Sequence, residues 1–144
     1  MNTAKTLELL QSEAAYARMC ELYGAEKAEE NIRRYGELVK KFRENFGEND
    51  ILMFSSPGRT EISGNHTDHN HGKVLAGSIN LDCVGIAARN ESSRVNIISE
   101  TFQQKFTIDL NDLQPSDKKA GTVDLVKGLL KGFQESGYKS EAKR

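Results

Sequence analysis

The sequence has no excess of charge of either sign: 20 Lys and Arg stand against 21 Asp and Glu, a formal net charge of -1. A nucleic-acid partner would call for a basic surplus or stripe, so none is expected. Also missing is any apolar run near the length of a membrane span, and Met1-Asn2-Thr3-Ala4-Lys5 does not lead into the apolar core of a signal peptide. The expectations are therefore no membrane and a cytoplasmic location. Cysteine is scarce. Cys20 and Cys83 lie far apart, without metal-ligand spacing or a secretory context. Both are expected to be reduced and buried, with Cys83 acting as a small hydrophobe in the run Leu81 to Ala88. Internal repeats, low-complexity tracts and an interdomain linker are absent too. The 144 residues read as one domain, long enough to bury roughly 68–70% of its unfolded surface.

What is present begins with helical spacing. From Thr6 to Leu22 the apolar residues Leu9, Leu10, Ala14, Ala17, Met19 and Leu22 recur at steps of three and four, which predicts one amphipathic helix ended by Gly24. A second helix is predicted over Ala25 to Phe46, with Ile32, Tyr35, Leu38, Val39, Phe42 and Phe46 on one side and Gly47 as its left-handed cap. Strand signals follow at Ile51–Phe54, Lys73–Ala76 and Leu81–Arg89, then at the alternating stretches Arg94–Ser99 and Gln104–Leu110, with a turn at Glu100-Thr101. These suggest an antiparallel meander. Asn111 to Gly121 reads as loop because it is polar and contains Pro115. A last helix starts with Thr122 as its N-cap, buries Val123, Val126, Leu129, Leu130 and Phe133, stops at Gly137, and leaves a charged tail from Lys139 to Arg144. The fold class is α+β, helices packed on a mixed, largely antiparallel sheet.

The chemistry concentrates in Pro57 to Asp82, PGRTEISGNHTDHNHGKVLAGSINLD. Pro57-Gly58 after the apolar run predicts a strand end and the start of a loop. Arg59, Glu61, Asn65, His66, Asp68, His69, Asn70 and His71 then crowd between two apolar runs, where binding groups commonly sit. Amide, imidazole and short carboxylate together suit hydroxyl recognition, since a sugar hydroxyl both donates and accepts. The planar fork of Arg59 suits phosphate oxygens. A zinc reading of His66, Asp68, His69 and His71 is the competing interpretation.

Pro57-Gly58-Arg59, then Gly64-Asn65-His66-Thr67-Asp68, then Asn70, Gly72, Val74 and Leu75 resemble the signature of galactokinases, members of the superfamily of galactokinase, homoserine kinase, mevalonate kinase and phosphomevalonate kinase. One position departs: the family's Glu before this His is Asn65 here. The resemblance covers roughly the first third of such a kinase. It implies a helical lead-in over residues 1–48 and, over residues 49–144, the start of the amino-terminal domain of the GHMP kinase fold. It also implies that Arg59 contacts the phosphoryl group passing from ATP to the anomeric hydroxyl of galactose, and that Asn65, His66 and Asp68 contact the sugar. ATP and Mg²⁺ are the implied cofactors, and the resemblance assigns this stretch no metal ligand and no role to His69 or His71.

The phosphate-binding glycine-rich loop, the catalytic aspartate and the groups holding Mg²⁺ would lie beyond Arg144. The parent is then an ATP-dependent galactokinase, while this chain alone is expected to be inactive and prone to self-association through uncovered strands and the last helix. The other open reading is a sugar-sensing or sugar-binding protein on the same scaffold, for which Asn65 is the hint.

Overall fold

The computed structural model describes residues 1–64, 67–116 and 121–138, without the side chain of Asp68. It is α+β, and its residues gather into two compact units, Met1–Arg89 and Asn90–Arg144.

The first unit opens with two short helices where one was expected. α1 spans Thr3–Leu9 and α2 spans Glu13–Tyr23. The break comes from Ser12, whose hydroxyl donates to Leu9 O at 2.7 Å and accepts from Ala15 N at 3.2 Å. A serine that closes one helix and caps the next overrides apolar spacing that is continuous across it. α3 runs over Ala25–Phe46 between Gly24 and Gly47, as its periodicity predicts. Its buried residues are Ala28, Asn31, Tyr35 and Val39, while Ile32, Leu38, Phe42 and Phe46 are half-buried. The core of this unit joins Ala28, Tyr35 and Val39 to Leu10, Met19 and Ile51. The larger of these apolar side chains each contribute about 1.5–3 kcal/mol on leaving water, before ordering costs.

The three strand signals from Ile51 to Arg89 resolve into two long strands. β1 is Ile51–Ser63 and β2 is Leu75–Ala88, paired antiparallel from Ile51↔Ala88 to Ser63↔Leu75. Pro57-Gly58 does not end β1. Pairing runs regularly to Pro57↔Asp82, shifts register at Gly58, resumes at Arg59↔Ser78, and shifts again between Glu61 and Ser63 before the last pair, Ser63↔Leu75. Among the described residues this sheet has two strands; Ile51 N points away from β2, to Met1 O at 2.9 Å, and strand alternation turns the Pro57 nitrogen the same way, so proline's missing donor leaves no ladder bond unmade.

Strand alternation gives this hairpin two unlike faces. Met53, Val84, Ile86 and Ala88 pack against the core. On the other face Leu52 is 64%, Phe54 54% and Leu81 71% exposed, and Cys83 is exposed as well, contrary to the expectation that it is buried. Cys83 alternates with Asp82 and Val84, which take the helix-facing positions. Cys20 is half-buried.

In the second unit β3, Arg94–Ser99, pairs antiparallel with β4, Gln104–Asp109, through the turn at residues 100–103. β3 and β4 form a sheet of their own, so the expected continuous meander is two separate hairpins. Ile108 and Leu113 are the buried apolar residues here. α4 spans Thr122–Glu135 with Gly121, not Thr122, at the N-cap. None of its residues is buried, and Leu125, Leu129 and Phe133 are exposed, so the expected buried stripe is corrected. A two-stranded hairpin offers too little apolar surface to cover a helix of 14 residues. Residues 117–120 of the expected loop and the charged tail, 139–144, lie outside the described residues. Among the described residues no helix is long and apolar enough to cross a membrane.

Candidate functional site

The polar stretch forms the closed end of the β1–β2 hairpin, and backbone chemistry explains its shape. Thr67 organises it: its hydroxyl donates to Gly64 O at 2.9 Å, and its carbonyl accepts from Asn70 N at 3.2 Å and Gly72 N at 2.8 Å. Asp68–Asn70 makes one turn of 3₁₀ helix, and His71 follows with a positive φ of 58°. Glycine is required at both ends. Gly64 has φ 86°, and a β-carbon there would collide with Lys73 O and stand 2.9 Å from Val74 Cα. At Gly72 a β-carbon would run into the Thr67 side chain, 2.5 Å from its Oγ1.

The implied site residues divide as follows. Arg59 lies on β1 just past the register shift, 72% exposed, with Nη2 3.4 Å from Glu61 Oε1. With Arg59 that exposed and the contact this long, the pair is worth at most about 1 kcal/mol, although the Glu61 side chain is only 28% exposed. Asn65 and His66 lie outside the described residues, and Asp68 is placed by its backbone at the head of the 3₁₀ turn. His69 and His71 are exposed. Among the described residues no three His, Cys, Asp or Glu side chains converge to hold a metal ion.

A second polar cluster, absent from the sequence reading, sits at the base of this loop. The Asp82 carboxylate, its side chain 3% exposed, accepts from Arg34 Nη1 at 2.6 Å, Tyr23 Oη at 2.6 Å and Ser55 Oγ at 2.5 Å. Arg34 Nη2 also donates to the Asp82 backbone carbonyl at 2.9 Å. Because Tyr23 gives its proton to Asp82, Tyr35 donates across the 2.8 Å contact to the Tyr23 oxygen, and the two rings meet edge to face. A cavity of about 280 Å³, lined by Tyr23, Lys27, Asn31, Arg34 and Asp82 among others, admits solvent to the Arg34 side.

Burial alone would push the Asp82 carboxyl up. The bonds from Ser55, Tyr23 and Arg34, with the guanidinium's charge, outweigh it and hold the group below the usual carboxylate range. Burial and the bond to Asp82 push the Tyr23 phenol up. Asp82 is thus a fixed anion at working pH. Breaking such a pair costs roughly 3 kcal/mol, the low end for buried ion pairs because Arg34 is 40% exposed. The sequence carries one sign of this cluster: Asp82 is a lone carboxylate inside the apolar run from Leu81 to Ala88, and a buried carboxylate needs a cation.

Comparison with known proteins bears on the same stretch. The family model described as the galactokinase galactose-binding signature matches residues 40–89, which include all of β1, the loop and β2. The galactokinase of Clostridium tetani (strain Massachusetts / E88) is 33% identical over 109 residues, covering 76% of this chain and 28% of the relative. That of Lactococcus lactis subsp. lactis (strain IL1403) is 36% identical over 112 residues, with the same two coverages. The galactokinase of Ligilactobacillus salivarius (strain UCC118) is 37% identical over 100 residues, 68% of this chain and 26% of the relative. The chain therefore spans between a quarter and a third of the length of these relatives. No solved structure matches it.

Proposed function

We propose that this chain, which matches the galactose-binding signature over residues 40–89 and is similar to about a quarter of several galactokinases, is the sugar-side part of an ATP-dependent galactokinase. The observation that carries the reading is the coincidence of the galactose-binding signature with one antiparallel hairpin, between whose strands the sequence carries the hydroxyl-recognising residues. In this reading Asn65, His66 and Asp68 hold the sugar, and Asp68 orients it by accepting from adjacent hydroxyls. The anomeric hydroxyl gives up its proton to a general base of the full-length protein as its oxygen attacks the terminal phosphorus of ATP, the bond to ADP breaks, and Arg59 exchanges Glu61 for the transferring phosphoryl oxygens, whose charge such a reaction must stabilise. Residues 49–144 are the start of the GHMP kinase domain and 1–48 its helical lead-in. Among the described residues no three His, Cys, Asp or Glu side chains converge on one point, and in this reading the segment is assigned no ligand to the Mg²⁺ that accompanies ATP.

The test uses the full-length protein carrying this segment: galactose binding by calorimetry, and galactose 1-phosphate formation in a coupled ATP assay. Both are expected. Galactose binding without turnover would favour the second reading, a non-catalytic sugar-binding protein, to which Asn65 in place of the family's Glu points. Absence of binding would overturn both.

Asn65 also sets an expectation about selectivity. A Glu can only accept from a hydroxyl at neutral pH, whereas Asn also donates and carries no charge, so it tolerates a hydroxyl altered at the contacted carbon. Asn65→Glu is expected to raise the kcat/KM ratio of galactose over such hexoses by about five-fold. An unchanged ratio across a sugar panel would remove Asn65 from the selectivity contacts.

A further inference from the structure

The Asp82 cluster stands at the joint of the hairpin. Pro57↔Asp82 is the last regular pair, the register shift at Gly58 follows, and Arg59↔Ser78 is the first pair beyond it. β2 thus places three residues, Ile79, Asn80 and Leu81, opposite the single Gly58. Such an irregular joint specifies its register weakly, and a one-residue slip beyond it would turn Arg59 to the opposite face. Asp82 is held from outside the ladder. Its carboxylate is tied to α2 through Tyr23 and to α3 through Arg34, its backbone carbonyl to Arg34 again, and Ser55 binds it to β1 two residues before Pro57.

We propose that Asp82 and Arg34 are positioning residues: by fixing the hairpin's joint to α3 they set the register from which Arg59 is presented, up to the second shift after Glu61. The two ends of Arg34's fork do different work. Nη1 neutralises the carboxylate, and Nη2 fixes the backbone of the residue from which the register shift is counted, a bidentate grip that a lysine ammonium does not reproduce. The catalytic part of the inference rests on Arg59 serving phosphoryl transfer as proposed above.

Two experiments test it separately. In this chain, amide hydrogen exchange is compared between the native sequence and Asp82→Asn, which keeps shape but strands the Arg34 charge. Exchange is expected to quicken about ten-fold or more over Arg59–Glu61 and Ala76–Ser78, while Ile51–Phe54 and Val84–Ala88 stay within about two-fold. A uniform rise along the hairpin, or none, would overturn the proposal, because a residue serving stability alone moves all these amides together. If Asp82→Asn does not fold, Arg34→Lys is read by the same pattern at smaller amplitude.

In the full-length protein, Asp82→Asn and Arg59→Lys are combined in a double-mutant cycle on kcat for galactose. Each is expected to cost about ten-fold or more alone, and Asp82→Asn less than about two-fold on top of Arg59→Lys. Additive losses would overturn action through Arg59. A native protein that does not phosphorylate galactose at all would defeat the functional reading instead, and the exchange pattern would then decide the positioning role by itself.

Discussion

Arg59→Ala in the full-length protein is expected to lower kcat for galactose by about 10²–10³-fold, with galactose KM changed much less. The ground-state partner of Arg59 is Glu61 at 3.4 Å on an exposed strand, a weak and solvent-screened contact. Its removal costs the fold almost nothing, so the loss must come from the step in which negative charge spreads over the transferring phosphoryl oxygens. Arg59→Lys separates charge from geometry. Lysine restores a cation but not two parallel N–H donors, and should recover only part of kcat. Steady-state kinetics on the three proteins, with melting curves as a control for folding, check the expectation. A rise in galactose KM at constant kcat would make Arg59 a binding residue. Glu61→Gln sharpens the point, because freeing the guanidinium should leave kcat unchanged or slightly raised.

How far the sequence revealed this arrangement depends on whether the deciding interaction is local. α3 was legible to the residue because both of its ends are glycines and its apolar stripe is unbroken between them. The α1–α2 break was not, since continuous spacing hid a serine whose capping bonds reach only three residues each way. Pro57-Gly58 misled for a related reason. The pair reads as a turn by composition, yet with the Pro57 nitrogen turned away from β2 it is absorbed as a register shift and the strand continues. α4 was found as an element, but burial depends on what the neighbouring hairpin can cover. The loop's residue types pointed to a sugar and a phosphoryl group, while the cluster at its base did not show. Arg34 and Asp82 are 48 positions apart, and no periodicity links a helix residue to a strand residue at that distance.

Gly64→Ala should do the largest damage of any alanine placed at a glycine of this chain, because its added β-carbon meets main chain at the shortest distance. The residue sits at φ 86° where β1 gives way to the loop, directly after Ser63↔Leu75, the last pair of the ladder. An alanine there carries the cost of left-handed backbone, about 1 kcal/mol. Its β-carbon must also displace main chain, since Lys73 O and Val74 Cα are what it meets and neither can rotate away. Together these point to a loss of about 3 kcal/mol in urea unfolding of this chain. The relaxation available is to part the strands at Ser63 and Leu75, which breaks the bond from Thr67 to Gly64 O and releases the turn that carries Asp68. Galactose KM of the full-length protein is therefore expected to rise about 10²-fold together with the stability loss. Gly36→Ala is the matched control. That glycine lies inside α3, and nothing stands within 4 Å of the β-carbon it would gain. The same methyl there should stabilise the chain by about 0.5–1 kcal/mol through helix propensity, with galactose kinetics untouched. If Gly64→Ala were as mild as Gly36→Ala, the hairpin's closed end would be loose rather than built, and the sugar-side residues would have to be organised by the ligand instead of by the fold.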